Sequence, residues 1–409
     1  MWYTLSNNQT HCGEQIMELN TEKYPFPQIY IRSGRECILD SVKHIFRPAT
    51  PEEIVRQKII EYLNKELDIP YQAIETEVPL CHFVKGAKGR MDIVIYGVIN
   101  AERFPIMVVE CKAPDVLLTD DVYEQAKNYA EIVDIPVLMV TNGSIVDFLL
   151  WNYEKNVYEA LTDPPIYSIL LTPYQLKATA IPEYHYQRYH YEELFKPETI
   201  QKEIDLGDFI GSDCNKNYIP YIVNFAECLL DDTHLIDSLP LEKYSFIKDG
   251  GIRFTSFGNA SGGSYPGLYR YILVKDKNND VQIISIGVSG CLNRRSLLLV
   301  AIDDFEKHHN SLQLSLEHYS TIQNNSMSIF HDGTMTAGKR GSVKKLTVID
   351  YMRLHSNLDI SRNGYIQLGT LDQSHLLHCN HKDVKKLIAN LTEYALLRDE
   401  LRKLLGKRS

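Results

Sequence analysis

The 409-residue sequence lacks long hydrophobic runs, paired cysteines and a basic surplus, and each absence excludes a class of protein. Its longest apolar run, residues 297–302, is far shorter than the ~20 residues of a membrane-spanning helix, and no charged-then-apolar leader opens the chain. With 43 basic and 53 acidic residues the net charge is -10, which excludes non-specific coating of nucleic acid but allows a local basic groove. We therefore expect a soluble, cytoplasmic protein with no membrane partner.

The eight cysteines are scattered singly and include no CxxC pair, as expected for reduced thiols. The densest group of metal-binding side chains is a single segment that contains His375, His378, Cys379 and His381. One crowded segment rarely supplies a tetrahedral zinc site without a distant second half. A histidine-rich surface turn is therefore favoured here over zinc binding.

The sequence divides into four parts, and hydrophobic residues make up 44% of it, enough for sizeable cores. Residues 1–170 begin with a hairpin pattern over 24–45 and continue as an α/β pattern, which predicts a mixed sheet flanked by helices. Residues 171–205 are interpreted as a connector and residues 206–380 as a mainly β (α+β) recognition or sensor domain. Residues 381–409 form an amphipathic helix pattern, for which packing on its own domain and dimerisation are both open.

The first helix of the α/β pattern has a well-marked start. Thr50 is a good N-cap, Pro51 suits the first helical position, and Glu52 and Glu53 favour the positive end of the helix dipole. The patterns that follow are strand 74–81, strand 91–98, strand 105–112, helix 119–133 and strand 136–140.

Charged side chains stand at the ends of two of these apolar strands. Because alternate side chains of a strand share a face, Glu110 and Lys112 point to one side and Cys111 to the other. Burying two charges at such a place costs several kcal/mol unless they are paired or bind a cation. Asp92 opens the preceding strand, where its carboxylate could lie beside Glu110, and a divalent cation would relieve the repulsion between the two.

Oxygen donors favour Mg²⁺ or Mn²⁺, and the candidate metal-binding residues are Asp92, Glu110 and Cys111. The chemistry that suits this arrangement is phosphodiester hydrolysis. A bound metal would polarise the phosphate and lower the pKa of a water, while Lys112 would orient that water or neutralise the developing charge.

Three further residues are candidates for the same site. Gln125 and Tyr129 stand four apart on one face of the next helix, where they could brace the lysine or touch the phosphate. Glu53, near the start of the first helix, could add a third acidic group through a water. Asp92, Glu110, Lys112, Gln125, Tyr129 and Glu53 are thus the candidate catalytic residues.

Two basic segments are candidate DNA contacts. The loop before the first strand carboxylate combines two glycines with three cations, Lys85, Lys88 and Arg90, which fits close approach of a phosphate backbone. Residues 336–345 hold four cations, among them Lys339 and Arg340, and a DNA contact and a solvated loop are equally open there. The glycine-rich residues 257–264 could wrap a phosphate or nucleotide, although plain turns are the commoner use.

The series Asp92, then Glu110-Cys111-Lys112, then Gln125-Ala126-Lys127-Asn128-Tyr129 resembles the PD-(D/E)XK nuclease motif with a QxxxY extension. More narrowly, residues 25–155 resemble the N-terminal nuclease domain of type I restriction enzyme R subunits. Four ordered blocks carry this resemblance, Thr50-Pro51-Glu52-Glu53-Ile54-Val55-Arg56-Gln57, Gly89-Arg90-Met91-Asp92, Val109-Glu110-Cys111-Lys112-Ala113-Pro114 and Thr141-Asn142-Gly143.

The resemblance implies a restriction-endonuclease-like fold and a divalent-metal DNA endonuclease of prokaryotic restriction or anti-phage defence, with Asp92, Glu110 and Lys112 as its catalytic residues. The sequence departs from R subunits because it contains no GxxxxGK[ST] phosphate loop. We therefore expect cleavage that is independent of ATP, licensed by the second domain or dependent on a separate partner.

The residues leave other functions open. A non-catalytic nucleic-acid-binding module on an inactive nuclease fold would bind DNA even after Lys112→Ala. A nuclease gated by a small nucleotide at the glycine-rich loop would stay silent until that activator is added. A protein activator and a homodimer are further options. The plain structural alternative for Glu110 and Lys112 is an ion pair on a solvated edge strand.

Overall fold

A computed structural model describes residues 17–99, 102–171, 186–258, 264–290, 295–304, 307–336 and 341–407. It is mixed α/β and divides into two compact units. The first comprises Met1–Tyr30 with Glu36–Glu183, and the second comprises Ile31–Arg35 with Tyr184–Ser409. In the described ranges, no helix is both long enough and apolar enough to cross a membrane.

The elements up to the end of the first unit follow the predicted order. They are β1 (Met17–Glu18), β2 (Ile29–Arg32), β3 (Arg35–Leu39), β4 (Phe46–Pro48), α1 (Pro51–Glu66), β5 (Ile74–Pro79), β6 (Arg90–Ile99), β7 (Glu102–Cys111), α2 (Asp120–Val133), β8 (Val137–Thr141), β9 (Ile145–Asn152), β10 (Val157–Ala160) and α3 (Tyr167–Leu171). The hairpin predicted within residues 24–45 is β2 and β3, which turn at Ser33 and Gly34.

The main sheet of the first unit has the strand order β1-β9-β8-β7-β6-β5, and β10 pairs with β9. Strand β7 lies between an antiparallel neighbour, β6, and a parallel neighbour, β8. An interior strand covered on both faces needs a continuous apolar run, which residues 106–109 supply. The edge-strand alternative for Glu110 and Lys112 is therefore wrong.

Helices α1 and α2 cover opposite faces of this sheet. Apolar residues of α1 pack with the face of β7 that carries Val109, whereas α2 packs with the face that carries Val108. Helix α1 begins as predicted, because the Thr50 hydroxyl accepts a hydrogen bond of 3.1 Å from the backbone N–H of Glu53. Its burial extends beyond an apolar stripe, however, and includes Glu53 and Arg56.

The second unit contains a closed five-stranded barrel and smaller sheets. Its elements are α4 (Pro197–Leu206), α5 (Ile219–Leu229), β11 (Ser245–Gly258), β12 (Ser264–Lys275), β13 (Val281–Ser289), β14 (Leu297–Asp304), β15 (Lys307–Ser315), β16 (Ser320–Gln323), β17 (Ser326–His331), β18 (Met335–Thr336), β19 (Ser342–Val343), α6 (Lys345–His355), β20 (Ile366–Asp372) and α7 (Lys382–Lys407). The barrel runs β11-β12-β13-β14-β15.

The C-terminal helix α7 packs into the core of its own unit. Leu387, Leu391, Tyr394 and Leu397 are fully buried there against apolar residues of α5 and the strands. Of the two options that the sequence left open for this helix, packing on its own domain is the one observed. Most of its apolar face is therefore buried within its own unit, and a homodimer stays a prediction.

Candidate active site

The pairing of β6 with β7 brings the two strand carboxylates to one end of the sheet. Ile93 of β6 lies opposite Val109 of β7, so the start of one strand meets the end of the other. The Cys111 backbone N–H donates a hydrogen bond of 2.8 Å to Asp92 Oδ2. Asp92 is thereby fixed next to the end of β7, beside Glu110, as expected if the two successive strands are adjacent.

Glu110 is buried and only one of its carboxylate oxygens is satisfied. Oε1 accepts hydrogen bonds from Lys112 Nζ at 2.7 Å and from Gln125 Nε2 at 2.8 Å. Oε2 is buried without a hydrogen-bond partner. Burial, and then the charge of Asp92, raise the pKa of Glu110 to about 7. A buried oxygen in this state calls for a proton or a cation.

Lys112 is held in the site by two acceptors. Its Nζ donates to Glu110 and, at 3.3 Å, to Gln125 Oε1. Burial alone would lower the pKa of Lys112, but the hydrogen bond to Glu110 and the charges of Glu110 and Asp92 outweigh burial and raise it. The side chain therefore stays a charged ammonium. Gln125 also donates to the Tyr129 hydroxyl at 3.4 Å, so these two helix residues meet as their spacing predicted.

Arg56 lies at the centre of a group of carboxylates that sequence reasoning missed. Its Nη2 donates to Asp92 Oδ1 at 2.7 Å, and its Nη1 lies 2.7 Å from Glu77 Oε1. Nη1 also pairs with Glu53 Oε2. The clue in the sequence was the block Glu52-Glu53-Ile54-Val55-Arg56-Gln57, but a charged side chain on a helix is normally assigned to solvent.

Glu77 connects this arginine to the basic loop. Its second oxygen, Oε2, lies 2.5 Å from Arg90 Nε. The backbone of Glu77 has a φ of 53°, which is rare for a residue with a side chain and costs of the order of 1–3 kcal/mol. Strain of this kind tends to occur at functional sites. Glu77 thus partly neutralises Arg90, which is exposed like Lys85 and Lys88.

The two acidic residues at the start of α1 occupy different environments. Glu53 Oε1 accepts from Gln57 at 2.9 Å and its other oxygen pairs with Arg56. Burial raises the pKa of Glu53 to about 7, against the opposing charge of Arg56. Glu52 is the residue whose charge acts on Glu110 and Lys112, and burial followed by the charge of Asp92 raises its own pKa. Glu52 is therefore a second residue that sequence reasoning passed over, and a role for Glu53 stays a prediction.

The thiol of Cys111 lies on the face of β7 opposite the carboxylates. It is fully buried among the apolar side chains that pack with α1, and burial raises its pKa well above the usual value. A protonated thiol on that face is unsuited to bind a metal held by Asp92 and Glu110. The Cys111 backbone N–H contributes to the site through Asp92, and a metal-binding role for this residue stays a prediction.

Other predicted contacts lie partly outside the described residues. Lys339, Arg340 and most of the glycine-rich segment 257–264 belong to ranges that the structure does not describe.

In the loop before β6, Gly89 has a φ of +115°, and a Cβ atom there would come within 3.0 Å of the Tyr129 ring. Glycine at this position lets the basic loop pass close to Tyr129.

A magnesium or manganese ion fits the donor set of this site. Glu110 Oε2 is a buried oxygen without a partner, and each Asp92 oxygen keeps a second lone pair after its hydrogen bond. Mg²⁺ is typically bound by one or two carboxylates, with waters and substrate phosphate completing its octahedron. The carboxylates of Asp92 and Glu110 therefore offer the two protein ligands that such an ion requires.

Comparison with known proteins gives one family match. Residues 51–165 match the family model of the type I restriction enzyme R protein N terminus. This range contains every described candidate catalytic residue, and the first unit therefore includes a region like the N terminus of these R proteins. No curated protein matches the chain.

Among solved structures, the chain is similar to a fragment described as an HsdR subunit of a type I restriction enzyme from Vibrio vulnificus YJ016. The sequence identity is 18% and the TM-score is 0.24. The similarity covers 42% of this chain and 37% of that one.

Proposed function

We propose that this chain is a divalent-metal-dependent endonuclease of the PD-(D/E)XK type that hydrolyses DNA phosphodiester bonds in prokaryotic restriction or defence against foreign DNA. The family match over residues 51–165 supports a restriction-related nuclease. The observation that carries the proposal is the convergence of Asp92, Glu110 and Lys112, with one buried Glu110 oxygen left without a partner.

Each residue has a distinct task in this proposal. Asp92 and Glu110 would hold Mg²⁺ or Mn²⁺, which when bound lowers the pKa of a coordinated water and polarises the scissile phosphate. The charged Lys112 ammonium stabilises negative charge on the phosphate oxygens as the transition state forms. Gln125 bridges Lys112 and Glu110, so it fixes both side chains in one orientation.

The DNA backbone is proposed to approach from the side of the basic loop. Lys85 and Lys88 are exposed in the loop before β6, close in sequence to Asp92. Their positive charge favours contact with phosphate groups on this side of the site. The barrel-containing second unit is proposed to recognise DNA or to sense a signal. This role is the one that the sequence predicts for residues 206–380.

The test is cleavage of supercoiled plasmid, single-stranded DNA and RNA by the full chain in Mg²⁺ or Mn²⁺, with EDTA as the metal-free control. We expect the wild type to cut DNA, and Asp92→Ala and Lys112→Ala to lose at least about 100-fold in rate. Lys155→Ala is the matched control, because Lys155 is an exposed lysine paired with Glu159 in the β9–β10 turn. A cleavage rate close to that of the wild type in either site variant would refute the assignment.

A second outcome would favour the non-catalytic alternative. If no substrate is cut but DNA binds and the binding survives Lys112→Ala, the first unit is a binding module rather than an enzyme. If cutting appears only after a nucleotide or a cell extract is added, the nuclease is gated by an activator.

A further inference from the structure

A second group of metal-binding side chains lies in the second unit. Asp231 and His234 follow helix α5, and His378 lies in the segment that connects β20 to α7. The ligand atoms of these three residues all lie within 4.8 Å of one another. They are therefore a convergent carboxylate and imidazole set drawn from two distant parts of the sequence.

The distances between these atoms suit a tetrahedral ion. Asp231 Oδ2 lies 3.1 Å from His234 Nδ1 and 3.4 Å from His378 Nδ1. When zinc is bound at ~2.0–2.1 Å by nitrogen and oxygen, neighbouring ligand atoms of the tetrahedron are about 3.3 Å apart. The two imidazole rings lie side by side, with 4.0 Å between their centroids.

Arg188 now fills the place next to these ligands. Its Nη1 donates to Asp231 Oδ2 at 3.0 Å and lies 3.3 Å from His378 Nδ1. A guanidinium and a metal ion would compete for the same two atoms because both are cations. Nη2 of Arg188 also donates to Asn224 Oδ1 at 3.3 Å. This acceptor can hold the guanidinium when Nη1 leaves Asp231 and His378.

We propose that Asp231, His234 and His378 form a zinc site, that Arg188 moves aside when the ion binds, and that water is the fourth ligand. Imidazole and carboxylate donors suit Zn²⁺, and three protein ligands with one open position are a common zinc arrangement. The ion would join the segment after α5 to the segment before α7. Asp231 and His234 are the distant second half that the histidine-rich segment lacked in the sequence.

The test measures binding of Zn²⁺ and Co²⁺ to the full chain, without a histidine tag, after treatment with EDTA. We expect one zinc equivalent whose affinity falls at least 10-fold in both His234→Ala and His378→Ala. Co²⁺ in the same site should give the visible absorption bands of a tetrahedral complex, and zinc should abolish them. Zinc should also raise the Tm of the wild type and not that of the two variants.

His375→Ala is the matched control, because His375 is an exposed histidine of the same segment outside the proposed ligand set. It should bind zinc with the affinity of the wild type. Circular dichroism at the binding temperature confirms that each variant is folded.

Arg188→Met removes the competing cation and should tighten zinc binding several-fold. The proposal is overturned if His234→Ala and His378→Ala bind zinc like the wild type. It is also overturned if His375→Ala weakens binding as much as they do, or if Arg188→Met weakens it.

Discussion

Arg56 Nη2 lies 2.7 Å from Asp92 Oδ1, so a buried arginine of α1 holds one of the two strand carboxylates in place. The same guanidinium pairs with Glu53 and Glu77, which makes it the common partner of three acidic side chains. Its planar fork can serve several acceptors at once, whereas a lysine ammonium acts as a point charge. Arg56 is therefore placed to position Asp92 rather than to touch the substrate.

The first prediction concerns this arginine. Arg56→Met leaves buried carboxylates unpaired, and we expect it to lower the free energy of unfolding by about 3–5 kcal/mol. Arg56→Lys keeps the charge but loses the fork, so it should stay folded while Asp92 shifts and cleavage falls by about 100-fold. Urea unfolding and plasmid cleavage measure the two effects.

Arg47→Lys is the matched control, since Arg47 is another partner of Glu77, with its Nη1 4.0 Å from Glu77 Oε2. It should retain most of the cleavage activity. A folded Arg56→Lys protein that cuts as fast as this control would show that Arg56 does not position Asp92.

The second prediction separates Glu52 from Glu53. The negative charge of Glu52 contributes to the raised pKa of Glu110, so Glu52→Gln should lower that pKa and move the acidic limb of the pH–rate profile to lower pH. Glu53→Gln weakens the ion pair with Arg56 and should mainly reduce stability, by about 1–3 kcal/mol. Cleavage rates over a pH series and urea unfolding of both variants decide the matter, and a profile shifted only by Glu53→Gln would reverse the assignment.

Local rules were enough to predict where the strand residues of the site would meet. Strand alternation put Glu110 and Lys112 on one face, and the expectation that the preceding strand is adjacent placed Asp92 beside Glu110. The helix start at Thr50 followed from capping preferences in the same way. These inferences depend on neighbours in sequence or on adjacent strands, and the structure confirms each contact.

The buried partners could not be predicted by such rules. Arg56 of α1 pairs in its buried position with Glu77, which lies on strand β5, and nothing within α1 signals that partner. His378 likewise acquires Asp231 as a neighbour only through the fold of the second unit. Charged side chains of this kind are assigned to solvent by periodicity, and only tertiary contacts reverse that assignment.

The third prediction is that metal binding depends on pH through Glu110. Its pKa is raised to about 7, and a protonated carboxyl is a poor ligand, so affinity for Mn²⁺ should rise with pH up to about 7 and then level off. Calorimetric titration across this range should show proton release that diminishes above pH 7. In Glu110→Gln both the proton release and most of the affinity should be lost.

The raised pKa of Glu110 also predicts how the stability of the metal-free protein depends on pH. The pKa of Glu110 is about 7 in the folded protein and 4.5 for an ordinary Glu. Its contribution to stability is therefore fully present below pH 4.5 and is lost as pH rises to about 7. The metal-free protein should therefore have a Tm that falls over this window, and Mg²⁺ should recover part of the loss at pH 7. A slope unchanged in Glu110→Gln would show that other groups cause it.

The last prediction uses the two glycines of the basic loop as a matched pair. Both have positive φ, +85° at Gly86 and +115° at Gly89, so alanine is strained at either position. A Cβ at Gly86 would meet nothing within 4 Å, whereas a Cβ at Gly89 would lie 3.0 Å from the Tyr129 ring and hydroxyl.

Gly86→Ala should cost only about 1 kcal/mol of backbone strain and leave cleavage nearly intact. Gly89→Ala must also displace Tyr129, which contacts Gln125, so it should lower cleavage at least tenfold beyond the control. Equal cleavage rates in the two folded variants would mean that Tyr129 and its contact with Gln125 do not matter to catalysis.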